Sequence, residues 1–222
     1  MRIRNPYLLA GIFAFVFISC QKEASVELPN NSPGNSGGNG GNGGSGGSSS
    51  GSEIGTWKLI SLHVSSTQSV ESKAGSDAIN AVTVSDYTTE NNTGTLKFDG
   101  SNCITTGLGY TVNTTSTTTM YLNGAPGNTF PFPFSVAVPP TDGTSPYKKI
   151  GTDSLYFQTG LLSTVNSGGT VQNTAAGYKL RYYGTDSLTM TSVYDDVQLI
   201  ISGGTSAKSS FHAVIVGSLK KQ

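Results

Sequence analysis

The sequence predicts an all-β, antiparallel domain, and three observations carry that expectation. Charged residues make up only 12% of the 222 positions while Gly alone supplies 29, so good helix formers are scarce and strand and turn formers dominate. Apolar residues recur with a period of two in short runs, the pattern of half-buried strands. Turn signals punctuate those runs at Asp99-Gly100, Asn123-Gly124 and Gly203-Gly204, residue pairs that supply the positive φ of tight hairpins. No long helical pattern intervenes, which argues against parallel βαβ units. The pattern leaves two architectures open, a closed up-and-down barrel and a β-sandwich.

The elements follow in chain order. Arg2 and Arg4 precede an uncharged run from Tyr7 to Ile18, about a dozen residues long, which is the length of a signal-peptide core rather than a membrane span. Residues 1–19 are therefore read as an export signal. Residues 20–52 form a Gly/Ser/Asn-rich tether, because Gly37 to Gly44 and Ser48 to Gly51 hold nothing apolar to offset the entropy of ordering. A chain of that length and composition has a root-mean-square reach of roughly 30 Å.

Residues 53–222 are long enough for one domain with a sizeable core. Trp57 and Leu59 alternate in one phase and Ile60, Leu62 and Val64 in the other, which predicts a bulge near 59–60. Leu96/Phe98, Met120/Leu122, Tyr178/Leu180/Tyr182, Leu188/Met190, Val197/Leu199/Ile201 and Phe211/Ala213/Ile215 mark later strands, about eight to ten in all. Alternate prolines in Phe130-Pro131-Phe132-Pro133-Phe134 bar that stretch from a central strand and place it on an edge or in a loop. Gly-Thr-Asp-Ser-Leu occurs at 151–155 and again at 184–188, read as a reused turn.

Several function classes are disfavoured. Removing Arg2 and Arg4 from the 13 basic side chains leaves 11 against 13 acidic ones, a charge near −2, so there is no basic face for nucleic acid. Two histidines and the absence of any metal-ligand or nucleophile spacing predict a non-enzymatic protein with no metal and no cofactor. Cys103 is read as a small buried hydrophobe, and His212 as outward-facing. Asp195-Asp196 is expected to cap a solvated turn between strands, with calcium as the alternative. Phe130, Phe132 and Phe134 either cap the core, line the mouth of a ligand cavity or dock a partner; Tyr178, Tyr182, Tyr183 and Tyr194 are a second aromatic supply, suited to stacking on sugars or to a strand face.

The segment ending Phe17-Ile18-Ser19-Cys20 resembles the lipobox of bacterial lipoproteins. The resemblance implies lipid attachment at Cys20, with acyl chains such as palmitate, cleavage before that residue, and anchoring to a membrane, at the periplasmic or cell-surface face of an outer membrane. Gly55-Thr56-Trp57-Lys58-Leu59 is similar to the Gly-x-Trp start of lipocalins and of the lipocalin-like domains of Bacteroidetes-type surface lipoproteins, and Thr95 to Gly100 resembles the family's strand and turn. That likeness implies an up-and-down barrel in which Gly55 lets the chain enter the first strand and Trp57 plugs one end. In the family an arginine from beyond the last strand stacks on that tryptophan, and Arg181 is the only arginine past the signal. Asp153-Ser154-Leu155 and Asp186-Ser187-Leu188 match a bacterial O-glycosylation pattern at Ser154 and Ser187, with turn chemistry as the alternative.

The expected function is thus a membrane-tethered lipoprotein whose non-enzymatic barrel binds a small apolar or amphipathic ligand or a surface partner. The alternative is a structural or adhesive surface sandwich without a small-molecule ligand.

Overall fold

A computed structural model describes residues 51–162, 164–165, 171–172, 175–202 and 205–222. Residues 1–50, on which the expected export signal, Cys20 and most of the expected tether fall, and Gly203-Gly204, expected as a turn, lie outside the described residues. Within them the chain is all-β: β1 (Gly55–Ala74), β2 (Asp77–Thr88), β3 (Glu90–Phe98), β4 (Asn102–Leu122), β5 (Ala125–Ile150), β6 (Ser154–Phe157), β7 (Thr164–Val165), β8 (Val171–Gln172), β9 (Ala176–Tyr183), β10 (Ser187–Ser202) and β11 (Thr205–Lys221). Strands β7 and β8 pair with each other; the other nine form one antiparallel sheet.

That sheet closes into a ring, as a barrel requires. Its circuit is β1–β3–β4–β5–β6–β9–β10–β11, and β11 returns to β1 through a long antiparallel pairing from Trp57↔Lys221 to Ser72↔Ala207. Strands β2 and β3 act as one interrupted partner of β1. At Leu62 the ladder is relayed by Thr89, whose N–H donates to the Leu62 carbonyl at 2.9 Å and whose hydroxyl accepts the Leu62 N–H at 2.8 Å. The bulge expected near 59–60 is present: the β1–β11 register slips between Leu59 and Ser61, which turns Ile60 outward and keeps both Leu59 and Leu62 inside.

Among the described residues closure is complete at one end only, and strand length is the reason. β6 has 4 residues and β9 has 8, whereas β5 has 26 and β10 has 16. β6 meets β5 only at Tyr147–Ile150, and β9 meets β10 only at Ser187–Thr191. Beyond those residues β5 and β10 are edges of a six-stranded curl ordered β10–β11–β1–β2–β4–β5. The phenylalanine–proline stretch lies on the β5 edge, paired among the described residues with β4 alone, where a missing proline N–H removes nothing from a ladder.

The closed end is packed solid. Trp57, Leu59, Leu96, Phe98, Cys103, Leu155, Phe157, Leu188 and Met190 are all nearly inaccessible. Edge-on aromatic contacts run from Phe98 to Tyr147 and from Phe157 to Tyr178, with Tyr147 tilted against Phe157, at centroid distances of 5.5–5.7 Å. Leu161 and Leu162, from the β6–β9 connection, are buried in the same cluster. The two expected turns among the described residues have the expected chemistry. Asn123 and Gly124 both have positive φ, 49° and 82°, between β4 and β5, and the Asp99 carboxylate accepts the N–H groups of Ser101 and Asn102 between β3 and β4.

One expectation is overturned. Asp195 and Asp196 do not cap a turn; they sit within β10, opposite His212 and Phe211 of β11. The runs at Leu188/Met190 and Val197/Leu199/Ile201 are one strand, and alternation continues through the two aspartates without a break.

Candidate functional site

Register, rather than any local motif, builds the most distinctive surface of the molecule. On the inner face of the open curl, the pairings align one transverse row across six strands: Tyr194 of β10, Ala213 of β11, Ser66 of β1, Ser85 of β2, Ser116 of β4 and Phe132 of β5. Aromatic rings stand at both ends and the smallest side chains lie between them. The next row outward repeats the scheme with Asp196, Phe211, Gln68, Thr83, Thr118 and Phe130. With strands about 4.8 Å apart, each row spans an arc of roughly 24 Å.

The floor of this trough is a hydroxyl ladder. Ser85 and Ser116 share a hydrogen bond of 2.5 Å, and Thr83 and Thr118 one of 2.7 Å. Such cross-strand hydroxyl pairs satisfy each other inside the sheet. The side chains along this floor are small, and Ser66, Ser85, Ser116 and Thr118 are buried.

One wall is the β10–β11 edge. Tyr194 and Phe211 meet at 5.8 Å between centroids, tilted by 57°. Beside them Gln198 donates through Nε2 to Asp196 Oδ2 at 2.7 Å, and burial, with a smaller effect from the nearby Asp196 charge, raises the Tyr194 phenol above its ordinary value. Ser192, one step inward on the same face, is buried, and its hydroxyl has no hydrogen-bond partner among the described residues. The opposite wall is the phenylalanine row. Phe134 packs edge-on against Tyr87 at 6.1 Å, tying the row to the core, while Phe132 is 36% exposed.

The candidate residues therefore divide. Phe130, Phe132 and Phe134 line the trough. Tyr178 belongs to the packed end: it is 2% exposed, and its hydroxyl accepts the Leu162 N–H at 3.2 Å. Tyr182 lies at that end too, where its hydroxyl donates to Glu53 and its ring packs on Gly51. The Glu53 carboxylate is buried and paired with Lys149 at 2.7 Å. Trp57 sits at 1% exposure in the same place, its Nε1–H donating to the Glu53 carbonyl at 2.7 Å, with Lys221 over its ring. Gly55 has φ 129°, and a Cβ there would press on Lys221.

Ser154 and Ser187 lie at the β5–β6 and β9–β10 turns, half-buried, and each hydroxyl donates to the preceding carboxylate, Asp153 at 3.2 Å and Asp186 at 3.0 Å. Cys103 is wholly buried, and burial pushes its thiol up to about 12. Both histidines face outward and lie against aspartates, His212 on Asp195 at 2.7 Å and His63 near Asp86 at 3.6 Å. Among the described residues no three His, Cys, Asp or Glu side chains are grouped to hold a metal.

On the β10 wall, Asp196 and Gln198 were not singled out from sequence as ligand-binding residues, nor were the small residues of the floor. The only sequence signal for Asp196 and Gln198 was alternation with Tyr194, which an assumed turn concealed. No protein-family model matches the chain, and no curated protein or solved structure matches it either.

Proposed function

We propose that the chain is an exported lipoprotein, lipid-anchored at Cys20 and held off its membrane by the tether, whose domain binds an amphipathic ligand in the open trough without catalysing a reaction. The observation that carries this reading is the transverse row from Tyr194 to Phe132, with aromatic ends and a Ser/Ala floor. An apolar core would place large aliphatic side chains there, as the closed end does. A row of small hydroxyls between aromatic walls suits a ligand with both an apolar face and polar edges.

The lipocalin-like reading gains support from Lys221. It ends the last strand and stands over Trp57, the place where the family uses an arginine, so the absence of an arginine there does not count against the likeness. The packed end argues that any ligand enters the curl instead of the ring behind Trp57.

Two measurements test the proposal. Cys20→Ala should move the protein from the detergent phase of a membrane extract to the aqueous phase and remove the acyl mass. Native mass spectrometry of the membrane-extracted protein should show a co-purified ligand that Ser116→Phe, which fills the trough floor, displaces. Retention of lipid mass by Cys20→Ala overturns the anchor; a ligand unaffected by Ser116→Phe overturns the site.

A further inference from the structure

We infer that the ligand of the trough is a neutral saccharide, an assignment that rests on the trough being the binding site. The argument begins with what the two rows offer. Tyr194 and Phe132 stand at opposite ends of one row, and Phe211 joins Tyr194 at one wall. A pyranose has a face of C–H groups that packs on such rings and a rim of hydroxyls that both donate and accept. Beside the Tyr194–Phe211 pair, Asp196 supplies acceptors and the Gln198 amide supplies a donor and an acceptor, the two already held together at 2.7 Å. A carboxylate and an amide preset side by side can bind adjacent sugar hydroxyls without first losing rotamer freedom.

The same groups weigh against other ligand classes. An acyl chain laid in the trough would strip water from Asp196 and Gln198 and return no hydrogen bond, which costs free energy at each polar group. A phosphate or an acidic glycan would meet Asp196 with no lysine or arginine in either row to offset it.

The test uses the full chain carrying Cys20→Ala to keep it out of membranes. Maltoheptaose, cellohexaose and xylohexaose are titrated with saturation-transfer NMR and isothermal calorimetry, with palmitate as the contrasting probe. At least one oligosaccharide is expected to bind with a dissociation constant under about 1 mM, and Tyr194→Ala and Asp196→Asn are each expected to weaken it at least about tenfold. Gln198→Ala serves as a further variant at the strand edge in case either of those disturbs folding, and the thermal midpoint of each variant is recorded beside its affinity. An oligosaccharide that binds all three folded variants as tightly as the parent overturns the assignment. Palmitate bound in the trough with no oligosaccharide bound overturns the saccharide and spares the trough; no binding of any probe overturns both.

Discussion

Lys221 holds its ammonium 5.6 Å from the ring centroid of Trp57, joining the end of the last strand to the start of the first. The same two residues are register partners in the β1–β11 pairing that closes the ring. The contact therefore sits on the seam, where the ends of the sheet meet and where nothing covalent holds them. Trp57 is fixed from below by its bond to the Glu53 carbonyl, so the tryptophan, the seam and the residue before the first strand form one assembly.

Trp57→Ala should destabilise the domain by about 3–5 kcal/mol, the range for deleting a buried large aromatic. Lys221→Ala should cost only about 0.5–1 kcal/mol, since the ammonium end is exposed. Urea denaturation measures both, and equal losses would show that the ring's burial is not the dominant effect.

Glu53 is buried and its carboxylate meets Lys149, whose side chain is 42% exposed. Lys149→Met leaves that carboxylate with the weaker Tyr182 hydroxyl contact, at 3.4 Å. The loss should be on the order of 1–3 kcal/mol, and Glu53→Gln in the same background should recover part of it. A double-mutant cycle by denaturant titration gives the coupling, and a value of zero would refute the pairing's role.

Alkaline pH should unfold the domain before acid pH reveals much. Burial holds the Cys103 thiol up to about 12 against an ordinary 9.0, and burial likewise raises the Tyr110 and Tyr178 phenols. Each is an acid that keeps its proton longer in the fold, so its stabilising contribution is full below the unfolded value and is lost as pH rises toward the folded one. The denaturation midpoint should hold steady to about pH 9 and then fall, and Cys103 should resist alkylation until the protein unfolds. Rapid alkylation of folded protein at neutral pH would contradict the burial.

The two open edges should behave differently. β5 carries six prolines between Pro126 and Pro146, which deny an incoming strand its donors. β10 past Thr191 has none, and on its outer face Val193, Val197, Leu199 and Ile201 are 56–71% exposed. Leu199→Lys should reduce concentration-dependent association measured by light scattering, and Phe132→Lys should leave it nearly unchanged. Equal effects would remove the distinction between the edges.

The sequence carried the elements well, because each depends on neighbours. Alternation located the strands, Asn123-Gly124 and Asp99-Gly100 located two hairpins, and the phase change after Leu59 located the bulge. The prolines placed Phe130 to Phe134 on an edge, where the structure has them. Asp195-Asp196 misled because a pair of carboxylates usually marks solvent. Here the strand edge lets one face outward to His212 while the other lies on the inner face beside Gln198, so alternation survives the charge.

By itself the sequence determined that this is an antiparallel β domain, where the Asp99-Gly100 and Asn123-Gly124 turns fall, and which side chains of each strand share a face, since all of these follow from a period of two and from local backbone chemistry. Only the tertiary structure decided what those faces meet. Whether Tyr194 and Phe132 share a row depends on five successive strand registers, and each register is set by turn geometry and bulges distant from either residue. The open end arises in the same way, because closing it would need long partners between β5 and β10, and among the described residues only the short β6 and β9 stand between them in the sheet. A slip of one residue at any step would turn a whole strand over and bury the phenylalanines against a different floor, which is why the trough belongs to the fold and cannot be found in any segment of the chain.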